Sequence, residues 1–222
     1  MSHNKGLGVV VGVDGSAPSR AALDWAAHDA KMRNLPLTLV CAVPIRATRW
    51  PARIWFEALG WLPYERARRV LDDAVRVVQD GSSQGGPPRV IAKVVLADPA
   101  AALVDLSRDA EVIVVGARRR GAVRRRLFGS VSSSVLRQSC CPVAVIHDED
   151  PLIPDLPHAP VLASYDGSAA AAILARQEAS QRGVDLIVSD QSASGLIEQA
   201  QSTQLVALGD FSLPAAAIAD KA

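Results

Sequence analysis

Apolar residues fall along this chain in two alternating rhythms. Short runs rich in valine and isoleucine occupy residues 8–13, 37–43, 90–96, 112–115 and 143–146. Such a run, apolar at nearly every position, predicts a strand buried on both faces of its sheet. Between the runs the spacing is helical. Residues 16–33 are alanine-rich, with Ser16 suited to cap a helix and Pro18 tolerated in its first turn. Residues 64–79 set Val70, Leu71, Ala74, Val77 and Val78 on one stripe and stop before Gly81-Ser82-Ser83. Asp98-Pro99 opens a helix over 99–108, and 130–138 reads as another. Strands alternating with helices at this spacing predict a parallel, doubly wound α/β sheet of five strands with helices on both faces.

Beyond residue 148 the pattern repeats in shortened form. Leu162-Ala163-Ser164-Tyr165-Asp166-Gly167-Ser168 echoes Val11-Gly12-Val13-Asp14-Gly15-Ser16, and a helix is expected over 169–181. Residues 184–209 track 91–116 as strand, helix and strand, and Leu213-Pro214-Ala215-Ala216-Ala217-Ile218 echoes Cys141-Pro142-Val143-Ala144-Val145-Ile146. The copy lacks the second strand with its helix, and the loop and helix before the fifth strand. Alanines make that fifth strand, at 215–218, a weak one. The expected organisation is a complete domain over 1–148, a proline-rich linker over 149–159, and a truncated, degenerate copy over 160–222.

Charge follows the same division. The formal net charge is only +1, but residues 1–148 carry 21 Lys and Arg against 13 Asp and Glu, whereas residues 149–222 carry 3 against 10. Opposite fields favour docking of the two parts on each other, within one chain or between chains. Residues 44–63 separate the second strand from its helix and hold Trp50, Trp55, Phe56 and Trp61. A loop of that length is functional or ordered by a contact, or else is a helical excursion over 54–59 packed on its own domain.

Several classes of chemistry are not indicated. No window approaches the apolar length of a membrane span, and the first residues do not resemble a signal peptide, so the cytoplasm is expected. Cys41, Cys140 and Cys141 are not a disulfide framework; the adjacent pair suits either a redox switch or small hydrophobes at a helix-to-strand junction. The histidines and cysteines lack zinc spacing, so no metal site is expected. Nucleic acid is a weak expectation, since neither a recognition helix nor a stacking platform accompanies the arginines of 118–126.

Candidate chemistry gathers where ligands of open α/β sheets bind, outside the carboxyl ends of the strands. Asp14 closes the first strand and Gly116 the fourth. Gly116 would permit close backbone approach, and Gly129-Ser130 opens a helix whose free N–H groups favour a phosphate. The Ser130 and Ser132 hydroxyls suit a phosphate or its Mg²⁺, and Asp14 suits an amine or hydroxyl of a base or ribose. Val43, ending the second strand, can offer its backbone to the base. Glycine and serine also serve plain turns and caps.

These residues resemble a known family. Val13-Asp14-Gly15-Ser16, Asp98-Pro99-Ala100, Val114-Val115-Gly116, Gly129-Ser130-Val131-Ser132 and Cys141-Pro142-Val143-Ala144-Val145 are similar, in order and spacing, to the universal stress proteins. The resemblance implies a flavodoxin-like, adenine-nucleotide-binding fold, and in many members ATP held by a pattern of Gly, two residues, Gly, nine residues, Gly-Ser/Thr. It implies a nucleotide site at Val13, Asp14, Gly15, Ser16, Val43, Val115, Gly116, Arg118, Arg119, Gly121, Gly129, Ser130, Val131 and Ser132. It also implies pairing through fifth strands, as a homodimer or an intrachain pseudo-dimer. Arg119 departs from the pattern by replacing its second glycine; Gly121 can relieve the turn, and the surrounding arginines offset the loss because guanidinium pairs well with phosphate. The expected function is ATP binding, with or without Mg²⁺, in a stress-response regulator, with one site per chain and no catalytic residue. The alternative is an interaction module of the same fold that binds no nucleotide.

Overall fold

A computed structural model describes residues 6–44, 61–81, 86–117, 130–147, 161–164, 169–189, 205–208 and 217–220. Their strands form one nine-stranded sheet. The first part comprises β1 (Gly8–Gly12), α1 (Ala17–Met32), β2 (Leu37–Ala42), α2 (Trp61–Asp80), β3 (Val90–Val95), α3 (Pro99–Leu106), β4 (Ala110–Ala117), α4 (Ser130–Gln138) and β5 (Val143–His147). There follow β6 (Val161–Ser164), α5 (Ala169–Arg182), β7 (Leu186–Ser189), β8 (Leu205–Leu208) and β9 (Ala217–Asp220). The strand order is β3-β2-β1-β4-β5-β9-β8-β6-β7, and the five first strands are mutually parallel.

The alternation of side chains across the pleat divides the core into two layers. Val9, Val11, Leu37, Leu39, Cys41, Val112 and Val114 face α1, α2 and α5. Val10, Val40, Ile113, Val115, Val143 and Val145 face α3 and α4. This is why the strands read as unbroken apolar runs: each residue meets a helix layer on one side or the other. α2 buries Ala67, Leu71, Ala74 and Val78, one residue every three or four. Val77, expected on that stripe, is instead 49% exposed. α2 also begins three residues before the expected Tyr64, since Pro63 is tolerated in a first turn.

The later strands turn about. β6, β7 and β8 are mutually parallel, β9 is antiparallel to β8, and β9 is parallel to β5. Only residues 209–216 separate β8 from β9, whereas a parallel return needs about a dozen residues or more. The short connection therefore fits the antiparallel return, and β9 joins the sheet in the direction of β5. β9 lies two residues beyond the expected 215–218, with Ala217 opposite Val143 and Leu208. The helix expected between 189 and 204 and the segment 44–63 up to Gly60 lie outside the described residues, apart from Pro44.

Candidate functional site

The first corner is built by hydrogen bonds between near neighbours. Val13 is buried and donates its N–H to the Val40 carbonyl at 2.9 Å, tying the end of β1 to β2. The chain then bends so that the Ser16 N–H donates to Asp14 Oδ1 at 2.9 Å. Asn and Asp side chains favour this local turn, which here leaves the Asp14 carboxylate exposed at the mouth of the crevice. Gly15 has φ +80°, a left-handed conformation that a side chain disfavours. A Cβ there would also lie 3.3 Å from Val70 Cγ2 of α2. Ser16 caps α1, its hydroxyl accepting the Ser19 N–H at 3.4 Å. The buried Ser19 hydroxyl donates to the Ser16 carbonyl at 3.0 Å and lies 3.4 Å from the Asp14 N–H. Ser19 was not among the expected site residues, and its buried hydroxyl serves the hydrogen bonding of the corner itself.

The remaining expected residues divide by what surrounds them. Val43 donates its N–H to the Val95 carbonyl at 2.8 Å, so its carbonyl is what it can offer a base. Val115 is buried in the core beneath α3 and α4 and can contribute backbone alone. Gly116 serves packing: a Cβ there would stand 2.2 Å from the Pro18 carbonyl oxygen and 2.8 Å from the Ser19 nitrogen. The first turn of α1 thus lies directly against the end of β4, and the close approach that Gly116 permits is to the backbone of Pro18 and Ser19. Ser130 is exposed at the first position of α4, Val131 is half-buried, and Ser132 is 2% exposed. Ser130 therefore suits a ligand contact better than Ser132. Arg118, Arg119, Gly121 and Gly129 lie outside the described residues.

Topology brings the two ends of this crevice together. β1 and β4 are neighbours with Val11 opposite Val114, so the Asp14 corner and Gly116 close the same end of the sheet. α4 links the parallel strands β4 and β5, which sets its N-terminus at that end too. The described wall thus runs from Val43 through Asp14 to Ser130.

Two charged residues beside it act on Cys41. Burial pushes the Cys41 thiol above its ordinary pKa, the Asp14 charge raises it further, and Arg66 of α2 pulls it the other way. Arg66 thus belongs to the same neighbourhood, although nothing in the spacing of its arginine-rich segment singled it out. A separate open cavity of about 810 Å³ is lined by Arg33, Leu35, Glu111 and the α5 residues Ile173 and Arg176. Glu111 stands at the amino end of β4, opposite to where ligands of parallel sheets bind.

This fold and corner are those of a recognised group, and the chain belongs to the universal stress protein family, whose model matches residues 8–147. It is 44% identical over 183 residues to universal stress protein Rv2005c of Mycobacterium tuberculosis. That match covers 81% of this chain and 62% of the relative, so the chain spans less than two thirds of the relative's length. Among solved structures, universal stress protein UspA from Lactobacillus plantarum is 25% identical with a TM-score of 0.53, covering 63% of this chain and 97% of that one. A universal stress protein from Archaeoglobus fulgidus shares the fold over 97% of this chain and 98% of its own, with a TM-score of 0.71 at 15% identity. No helix among the described residues is long and apolar enough to cross a membrane.

Proposed function

We propose that this protein is an adenine-nucleotide-binding regulator that takes one nucleotide per chain, in the crevice of its first part. The observation that carries this reading is the pairing of an exposed, pre-turned Asp14 carboxylate with an exposed Ser130 at the head of α4. The carboxylate suits the hydroxyls of ribose or the amine of adenine. The head of α4 suits phosphate through its positive dipole end and the N–H groups of its first turn, which have no partners within the helix. ATP, with or without Mg²⁺, is the ligand that the family resemblance favours. We read the role as binding in the cytoplasm rather than turnover, with hydrolysis at most slow.

The later strands are read as a truncated second copy of the first unit. The order β9-β8-β6-β7 supports this, because it matches β5-β4-β1-β3 with the second strand omitted; the last strand alone is reversed, β9 running antiparallel to β8 where β5 runs parallel to β4. Three domain segments follow, 1–148, 149–159 and 160–222, and β5 paired with β9 takes the place of a dimer between fifth strands. That seam also supports a second reading, in which the protein works through its surfaces and binds no nucleotide. Acid extraction of the purified protein, followed by chromatography for adenine nucleotides, separates the two. Near-stoichiometric ATP or ADP supports the first reading. Protein that carries none and acquires none on incubation with ATP supports the second.

A further inference from the structure

The role of Arg66 follows from the face of α2 on which it stands. Val70 is one turn further along that helix and lies 3.3 Å from the position a Gly15 Cβ would occupy. Residues four apart on a helix share a face, so Arg66 flanks the same Asp14-Gly15 corner, one turn nearer the helix start. It is exposed, forms no ion pair with another described residue, and its charge reaches Cys41 at the end of β2. Its flank matters. The strands run β2-β1-β4-β5, so α2 and Ser130 stand on opposite sides of Asp14. A nucleotide whose phosphates meet Ser130 and whose ribose meets Asp14 would extend its base toward β2 and α2.

We infer that Arg66 is a base-binding residue, its planar guanidinium lying on the face of the adenine and favouring aromatic bases over other groups. This rests on the nucleotide reading and adds to it the residue that contacts the base. A guanidinium stacks on π-systems through both its charge and its flat shape, which an ammonium matches less well.

The test is titration of adenosine, ADP and ATP into the wild-type protein, Arg66→Ala and Arg66→Lys, with melting curves of the unliganded proteins as a check on folding. Arg66→Ala should weaken adenosine and ATP by the same factor, about five- to tenfold. Arg66→Lys should lose most of that factor, and the salt dependence of ATP binding should not change. Loss for ATP alone would mean that Arg66 pairs with phosphate and would overturn the inference. So would unchanged adenosine affinity in a variant that still binds ATP, which leaves the nucleotide reading intact. Failure of the wild-type protein to bind any of the three would remove that reading and the inference with it.

Discussion

Arg33, at the end of α1, forms an ion pair with Glu178 of α5, 145 residues further along the chain. Arg33 Nε also lies 2.9 Å from Asp29 Oδ2, and both carboxylate side chains are fully buried. Burial by itself disfavours the charged guanidinium, but the two carboxylates outweigh it and hold the Arg33 pKa above its ordinary value. Ala26 and Ala30 of α1 and Ala175 and Ala179 of α5 are buried in the same hydrophobic core cluster. Removing the guanidinium takes the compensating charge from a buried cluster, at a cost of about 3 kcal/mol or more. Arg33→Met removes a cation that both buried carboxylates share, whereas Glu178→Gln leaves Arg33 its Asp29 partner, so Arg33→Met should destabilise more in urea unfolding. The reverse ranking would mean that the cluster does not hold α5 against α1.

Gly116→Ala should fail through packing. Its new methyl would meet the Pro18 carbonyl, and relieving that contact requires α1 to move off β4, at a cost of about 1–3 kcal/mol. Unfolding midpoints should fall accordingly, with or without nucleotide. A variant of unchanged stability would contradict the observed proximity. Any loss of ligand binding in this variant should be judged only after that measurement.

The cysteines should differ sharply in reactivity. Cys140 is exposed, whereas Cys41 and Cys141 are 6% and 2% exposed. One thiol per native chain should therefore react promptly with an alkylating reagent at neutral pH, and peptide mapping should place it at Cys140. The raised pKa of Cys41 also has a sign for stability. Its contribution is complete while the unfolded thiol keeps its proton, and is lost as pH rises from the unfolded toward the folded value. Stability should thus fall on the alkaline side of the ordinary thiol pKa, and Cys41→Ala should flatten that fall whatever it does to the baseline. An equally steep fall in the variant would assign it to other groups.

Much of this was legible because it is local. Buried strands declare themselves by runs such as Val9-Val10-Val11, and the corner by Asp14, Gly15 and Ser16 in sequence. The missing features are long-range. The neighbour that Gly116 meets, the Pro18 carbonyl, lies almost a hundred residues earlier, beyond the reach of any local pattern. Asp29 and Glu178 each read as an ordinary helical acid, and nothing in either helix shows that Arg33 joins them. The position of β9 depended on pairing as well: alanines carry little strand preference, so the partners Val143 and Leu208 set its register.

Removing residues 209–222 should expose the edge of β5. In the intact chain Val143, Ala144 and Val145 pair with Ala217, Ile218 and Ala219. An apolar strand edge left uncovered is a template for pairing with another chain. Light scattering should show new dimers or aggregates of the truncated protein. A truncated form with unchanged mass in solution would show that β9 does not protect this edge.

The most direct measurement is calorimetric titration of ATP into the full chain and into Asp14→Ala, with melting curves of both to check that the corner survives loss of the Ser16 hydrogen bond. One site per chain is predicted for the wild type, with affinity reduced about tenfold in the variant through loss of a charge-assisted hydrogen bond. Two equivalent sites, no heat of binding at all, or full affinity in Asp14→Ala would contradict a single nucleotide held at this corner.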